Sequence, residues 1–340
     1  NRKVILQSKF AFAIPMIFFW LYLACMFKST IALFIIFFGF GLCSSAQVKD
    51  TSIIWEGRQV TLSPIVIRSG TNVPGFIRKV EDDTTFYKAF KNLRVLNFSS
   101  INDIRMLDKK GSVDASLYSK TRQWASRGCR FTNVLEEKTT GDFYKSDGDY
   151  NYYTAELYAS LFFSKDTICG QSNLIKDLNR SIKGKKGMEK HKEQLKMLFF
   201  NPGKDIPGIP LMGDKVKVFD QSHADLYDFS VDIQDYKGKS AYVFSLKIKD
   251  DLSFFKKDNV VIDEMTTWFD YDSFEVLSRN YKMSYNAGVY KFNVAMDVEI
   301  SKFGKLLYPS VIRYNGSWGV MVKGSERGVF TATVYDLSAN

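Results

Sequence analysis

The chain has 340 residues, a formal net charge of +10, 45% hydrophobic and 25% charged residues. These values fit one large globular domain or two smaller ones, and they exclude a disordered or collagen-like chain. The basic run Lys183, Lys185, Lys186, Lys190 and Lys192 lacks interleaved aromatics, and no nucleic-acid module accompanies it, so no nucleic acid is expected as a partner.

The first fifty residues hold two apolar stretches, 10–27 and 31–43. The second is short for a membrane span of about 20 residues. From Met26 the sequence MFKSTIALFIIFFGFGLCSSAQ gives a basic residue, an apolar core and small residues, the grammar of a secretory signal peptide cleaved after Ala46. Residues 1–25 then read as an upstream translation extension and 26–46 as the signal peptide. A membrane anchor is the rival reading. Lipidation at Cys43 is disfavoured by Leu42, where a small residue is needed. Export to the periplasm or an outer-membrane-associated site is the expectation.

Beyond the leader, Cys129 and Cys169 remain, a disulfide candidate in an oxidising compartment, with two buried thiols as the alternative. The bridge would close a loop worth about 3–4 kcal/mol. Residues 47–170 read as a β-rich region with one helix. Its opening run VTLSPIVIR, 60–68, is at best an edge strand because Pro64 interrupts it. Asp83 reads as a helix N-cap, followed by Phe86, Ala89, Phe90 and Leu93 on one helical face. From 101 to about 165 the pattern is strands, with Lys109-Lys110-Gly111 and Asp147-Gly148 as turns. Asp142, Asp147 and Asp149 lack the EF-hand spacing and read as a hairpin tip. Residues 171–213 read as a helical linker, with a helix from Met188 to Phe200 stopped by Asn201-Pro202-Gly203.

Residues 214–340 carry strict period-two alternation, in Tyr227, Phe229, Val231, Ile233, then Tyr242, Phe244, Leu246, Ile248, then Tyr290 to Ile300. Such alternation means strands with one buried face. Further strands are expected at 260–269, 274–285, 306–314, 317–323 and 328–336, with turns at Lys237-Gly238, Asn286-Ala287-Gly288 and Asn315-Gly316. The fold class is therefore mainly β (α+β), with large curved antiparallel sheets and a few covering helices. With 15% aromatic residues, 29 of them Phe, the sheet face needs a cover that few helices supply. Phe229, Phe244, Phe292, Val294 and Met296 are the candidate ligand-binding residues of a concave face. An ordinary packed core is the competing reading.

Catalytic signatures are missing. No Gly-x-Ser-x-Gly, His-Glu-x-x-His or phosphate loop occurs. His191 sits among charged residues, and His223 lies between Asp220 and Asp225 with no second ligand near in sequence. Asp263 and Glu264 alternate, which places them on opposite faces of a strand. No catalytic residue, metal or cofactor is assigned, although a scattered acidic site of a hydrolase needs no local motif. The Tyr150, Tyr152 and Tyr153 hairpin is an exposed contact patch in a third reading, a structural protein with an envelope partner.

The stretch VTLSPIVIR with its following helix resembles Bacteroidetes envelope proteins that begin with a carboxypeptidase-regulatory-like segment. Residues 260–300 (VVIDEMTTWFDYDSFEVLSRNYKMSYNAGVYKFNVAMDVEI) and then YPSVIRYNGSWGV are similar to the β-rich part of that group and, in pattern, to the lipoprotein-carrier (LolA-like) half-barrel. That resemblance implies a curved sheet holding a lipid, lipoprotein or other amphiphile without catalysis. The carrier family's hallmark residues do not transfer by position, and the β-rich region before 170 is extra.

Overall fold

A computed structural model describes residues 51–162, 164, 166–170, 172–175, 186–204, 206, 212–287, 290–320 and 324–338. The expected extension, the signal peptide and parts of the expected linker lie outside them. Strands β1 (Thr51–Trp55) and β2 (Arg58–Leu62) form a hairpin. Three helices follow, α1 (Pro64–Arg68), α2 (Val73–Asp82) and α3 (Thr85–Asn92), and then β3 (Asn97–Leu107), β4 (Val113–Ser126) and β5 (Cys129–Thr140). Helices α4 (Tyr153–Phe162) and α5 (Gly187–Phe200) and two 3-10 turns lead into β6 (Tyr227–Tyr236) and β7 (Lys239–Ile248). Short α6 (Phe254–Lys257) precedes the meander β8 (Ile262–Asp270), β9 (Val276–Ala287), β10 (Tyr290–Phe303), β11 (Leu306–Val320) and β12 (Gly324–Ser338).

All twelve strands make one open, curved sheet in the order β1-β2-β6-β7-β8-β9-β10-β11-β12-β3-β4-β5. The early strands thus form both ends, and the later meander fills the middle. Eight strand spacings separate β2 from β3, about 38 Å at 4.8 Å each. The connection has to cross one sheet face, and α1 to α3 lie along it. A second crossing, through α4 and α5, returns the chain from β5 to β6. The covering helices are therefore the crossovers themselves. Only β2 and β6 pair in parallel, as a crossover without reversal requires.

Register explains why one face needs this cover. Leu62, Val231, Phe244, Thr267, Arg279, Val298, Ile312, Ala332, Asn102 and Ser119 are neighbours in one row from β2 to β4. Each is buried. Directly paired residues point to the same face, so the row fixes a single inner face across the sheet. Apolar side chains dominate its middle. On β3 and β4 the row turns polar, where Ser100 and Thr121 hydroxyls are 2.7 Å apart and the Asn102 amide donates to Ser100 at 3.1 Å.

The structure corrects the sequence reading at four places. Strand β2 ends at Leu62, is paired on both sides and is not an edge strand; Pro64 opens α1, where its fixed φ and missing N–H suit the first helical turn. The opening region also holds α2, whose Asn72 side chain accepts from Gly75 N at 3.1 Å and whose Val73, Phe76, Ile77 and Val80 are buried. Residues 153–162 are helix, not strand. Strand β11 runs unbroken through Asn315-Gly316, so that pair is not a turn. Lys237-Gly238 is one, with φ of 54° and 84°, the sign pair that a type I′ hairpin demands. Cys129 and Cys169 are joined by a disulfide that ties β5 to the segment after α4.

Gly316 has a packing reason to be glycine inside a strand. A Cβ there would lie 2.7 Å from the Tyr314 hydroxyl and 2.9 Å from the Asn293 carbonyl oxygen. The Tyr314 ring thus occupies the space above the glycine. Gly316→Ala is expected to lower stability by about 1–3 kcal/mol through overpacking, seen as a lower denaturant midpoint at constant m-value. An unchanged midpoint would mean that the ring gives way without cost.

Candidate functional site

The inner face beneath the helices is the candidate site, and its centre is β8 to β12. One row there reads Met265, Tyr281, Met296, Tyr314 and Phe330. Beyond the neighbouring row of Met283, Val294 and Gly316, a third row holds Tyr285, Phe292 and Trp318. Phe292 stacks on Trp318 with ring centroids 5.4 Å apart and planes at 8°. Helix α5 closes over them through Phe199, whose ring lies 6.5 Å from Phe292, 6.5 Å from Tyr314 and 6.1 Å from Trp318. Helix α4 adds Tyr158, stacked on Phe330 at 4.5 Å. Phe90 of α3 meets Phe200 of α5 at 4.2 Å.

The five candidate residues divide into two groups. Phe292, Val294 and Met296 are buried side by side under α5. Phe229 and Phe244 lie on β6 and β7, beyond β8 and β9, and meet each other at 6.1 Å, with Phe219 above Phe244 at 5.9 Å. All five belong to the same hydrophobic cluster. Rings and methionines fill this layer, and the flexible thioethers of Met265, Met283 and Met296 fill the irregular gaps between rigid rings.

Sequence patterning missed the polar ties that hold the cover down. Arg279 on β9 is buried in the sheet centre. Its Nε donates to Thr267 Oγ1 at 2.9 Å, its Nη2 reaches Asp83 at 3.5 Å, and its guanidinium lies 4.4 Å from the Phe86 ring centroid. Burial works against the Arg279 charge and Asp83 supports it. Asp83 is not the N-cap expected from the sequence, since Thr84 holds that position and Asp83 closes α2, but its carboxylate accepts from Thr85 N at 2.9 Å, the first residue of α3. Gln123 Nε2 donates to the Leu93 and Leu96 carbonyls just past the other end of α3, at 2.7 and 2.8 Å. Glu326 on β12 accepts from Tyr153 N at 2.9 Å, and from Thr154 N and Thr154 Oγ1 at 2.7 Å, a carboxylate on the N-terminus of α4. Tyr281 donates to the Phe199 carbonyl in the last turn of α5. Burial raises the Tyr281 phenol far above its ordinary pKa, so it remains a donor.

Other readings are corrected here. Asp263 and Glu264 share a face. A bulge at Asp263 breaks the alternation; Asp263 accepts from Ser284 Oγ at 2.9 Å and Glu264 pairs with Lys282 at 2.6 Å. Ser284 and Lys282 are two residues apart on β9. The tyrosine hairpin is not an exposed patch. Tyr153 is buried, and Tyr150 and Tyr152 are half-buried around Phe143 at 6.0 and 6.2 Å. Among the described residues no group of three His, Cys, Asp or Glu could hold a metal ion. His223 is buried with Nδ1 2.9 Å from Ser222 Oγ.

Neither a known family nor a curated protein sequence matches the chain. Among solved structures it is similar to a domain assigned as an outer membrane lipoprotein-sorting protein from Vibrio parahaemolyticus, at 10% identity and TM-score 0.25, covering 78% of this chain and 89% of that one. It is also similar to a LolA superfamily protein from Nitrosomonas europaea, at 9% identity and TM-score 0.24, over 76% and 92% of the two chains. A DUF1329 family protein from Desulfovibrio piger gives 10%, 0.24, 76% and 94%. Likeness at this level assigns no activity to the chain.

Two measurements follow from the geometry. Arg279→Met leaves Asp83 buried without its cation and is expected to cost about 3–5 kcal/mol, with much of that recovered in Arg279→Met/Asp83→Asn. Equal loss in the single and double variants, by denaturant unfolding, would deny the coupling. Burial, the largest influence, lowers the His223 pKa below 6.5 against the opposing pull of Asp220 and Asp214. The unfolded chain then binds the proton more tightly, so this stability is present above pH 6.5 and is lost as pH falls through the lower folded value. His223→Gln should flatten that part of the stability–pH curve; an unchanged slope would remove His223 as its source.

Proposed function

We propose that the protein is an exported, non-catalytic envelope protein that holds an acyl chain or similar amphiphile between β9–β11 and helix α5. The observation that carries this reading is the layer of rings and methionines between the central strands and α5, with Phe199 over Phe292, Tyr314 and Trp318. Helix α3 is tied at one end by an ion pair and at the other by Gln123. Helix α4 is tied by a carboxylate. Among the described side chains, α5 meets the sheet through the phenolic bond from Tyr281 to Phe199 and through ring contacts that an acyl chain can replace. Lifting α5 opens Phe292, Val294, Met296 and Trp318, a continuous apolar strip along the strands. No helix among the described residues is long and apolar enough to cross a membrane. Delivery to the envelope rests on the signal-peptide grammar of residues 26–46.

The test uses a fluorescent C16 fatty acid, with energy transfer from the tryptophans, and native mass spectrometry of protein purified from an envelope fraction. One probe per chain is expected. Tyr281→Phe removes the tie and keeps the ring. It should tighten probe binding about fivefold, because a neutral hydrogen bond contributes about 1 kcal/mol to the closed state. Hydrogen exchange should quicken in α5 while α3 and α4 stay protected. Absence of probe binding in both wild type and Tyr281→Phe would mean that the layer is a sealed core.

A further inference from the structure

The opposite face of the same strands holds a cavity of about 520 Å³ that the lipid reading does not use. Two rows of outward residues form its floor. Thr266, Asn280, Asp297, Arg313 and Thr331 are neighbours in one row across β8 to β12. In the next, Lys282, Ala295, Asn315 and Val329 lie beside one another. Ala295 makes the depression, since its neighbours Lys282, Asn315 and Asp297 all carry longer side chains. Trp268 lines the cavity on β8 and lies 6.1 Å from Tyr236.

The electrostatics of this cavity are balanced. Glu264 and Asp297 offset Lys282 and Arg313 in its lining. Lys282 pairs with Glu264 at 2.6 Å. Arg313 reaches Asp297 at 3.3 Å and Glu299 at 3.1 Å. The Asn280 amide donates to Asp297 at 2.8 Å. An anionic ligand finds no cation here that lacks a carboxylate, and an acyl chain would strip water from these pairs without replacing it. A hydroxyl both donates and accepts, so it fits where fixed donors and acceptors alternate. The indole of Trp268, Val329 and the carbon stems of Lys282 and Arg313 supply apolar surface between the polar groups. The volume lies within the usual range for small-molecule sites.

We propose that this outer-face cavity, centred on Ala295 and edged by Trp268, is a binding site for a neutral glycan. Vicinal hydroxyls meet the Asn280–Asp297–Arg313 row and Asn315, and the C–H face of a sugar ring rests on Trp268. The side chains assigned to the glycan, those of Asn280, Asp297, Arg313, Asn315 and Trp268, stand on the outward rows, while Tyr281, Met296, Tyr314 and Phe330 of the inner row also border the cavity.

The experiment is a screen of the purified full chain against neutral glucan, mannan and chitin oligosaccharides, followed by titration calorimetry on the hits. Binding to a neutral oligosaccharide is expected, with affinity nearly constant between 50 and about 500 mM salt because no net charge is neutralised. Ala295→Leu fills the depression from the solvent side, and Trp268→Ala removes the platform. Each should weaken binding at least tenfold with an unchanged melting temperature for Ala295→Leu. Phe292→Leu, on the inner face and outside the cavity lining, should leave glycan affinity unaltered, which separates this site from the lipid reading. Failure of every neutral oligosaccharide, glycan binding that survives Ala295→Leu, or capture confined to charged glycans or peptides would each overturn the proposal.

Discussion

Every helix that lies on this sheet brings peptide groups it cannot satisfy by itself, and the rest of the structure depends on how the sheet satisfies them. A helix has orphan N–H groups at its start and orphan carbonyls at its end. On a protein surface water meets them. Under a crossover pressed against a wide apolar sheet, water is scarce, and unpaired groups are costly. Here side chains from the strands take the role. Glu326 receives the start of α4. Asp83, itself held by Arg279, receives the start of α3. Gln123 and Tyr281 supply donors to carbonyls at the other ends of α3 and α5. The strand residues among them, Glu326, Arg279, Gln123 and Tyr281, face inwards, so each interrupts the hydrophobic pattern where a helix terminus arrives.

That arrangement makes the cover graded instead of uniform. Charge-assisted bonds are roughly twice as strong as neutral ones. Such bonds meet the starts of α3 and α4, and a phenol-to-carbonyl bond meets the end of α5. Local opening follows the weakest attachment first. In the lipid reading proposed above, α5 is the element that lifts, and Tyr281 on β9 is a strand residue that holds it. The rings beneath α5 then determine what can replace it, because Phe292 and Trp318 present flat apolar surface with little polar content to satisfy.

The sequence announced the strands with one wet and one buried face, because period-two alternation is a direct image of the pleat. It announced the α3 stripe through Phe86, Ala89 and Leu93 for the same reason at helical spacing, and the Lys237-Gly238 turn through its chemistry. Helix α2 was equally visible in Val73, Phe76, Ile77 and Val80, but the β-type run before it and Pro64 drew the reading towards an edge strand. Other features had no local image. Asn315-Gly316 carries a turn signature, yet Tyr314 covers the glycine and the partner strands on both sides continue, so tertiary pairing overrides it. The bulge at Asp263 shifts parity by one residue, and nothing in Val-Ile-Asp-Glu marks it. Arg279 and Glu326 look like ordinary strand charges until the crossovers are placed above them. The closure of one sheet from two distant parts of the chain depends on the β12–β3 and β2–β6 pairings, long-range contacts that no window of sequence contains.

Parity also gives the middle strands two chemistries at once. On β10, Phe292, Val294 and Met296 face the helices, while Ala295 and Asp297 between them face outwards. A change at one position leaves the opposite face in register, since side chains one residue apart share backbone but little environment. The two surfaces can therefore diverge independently, the inner one under the demand for a packed apolar layer and the outer one under a looser demand, with Val243 and Ser278 beside Trp268 buried there. A paired, charge-balanced depression on a face that no helix covers is not required by stability, because exposed ion pairs contribute about 0–1 kcal/mol each. The inner row is explained by folding, and the outward row around Ala295 is free to carry the polar surface on which the proposed glycan site rests.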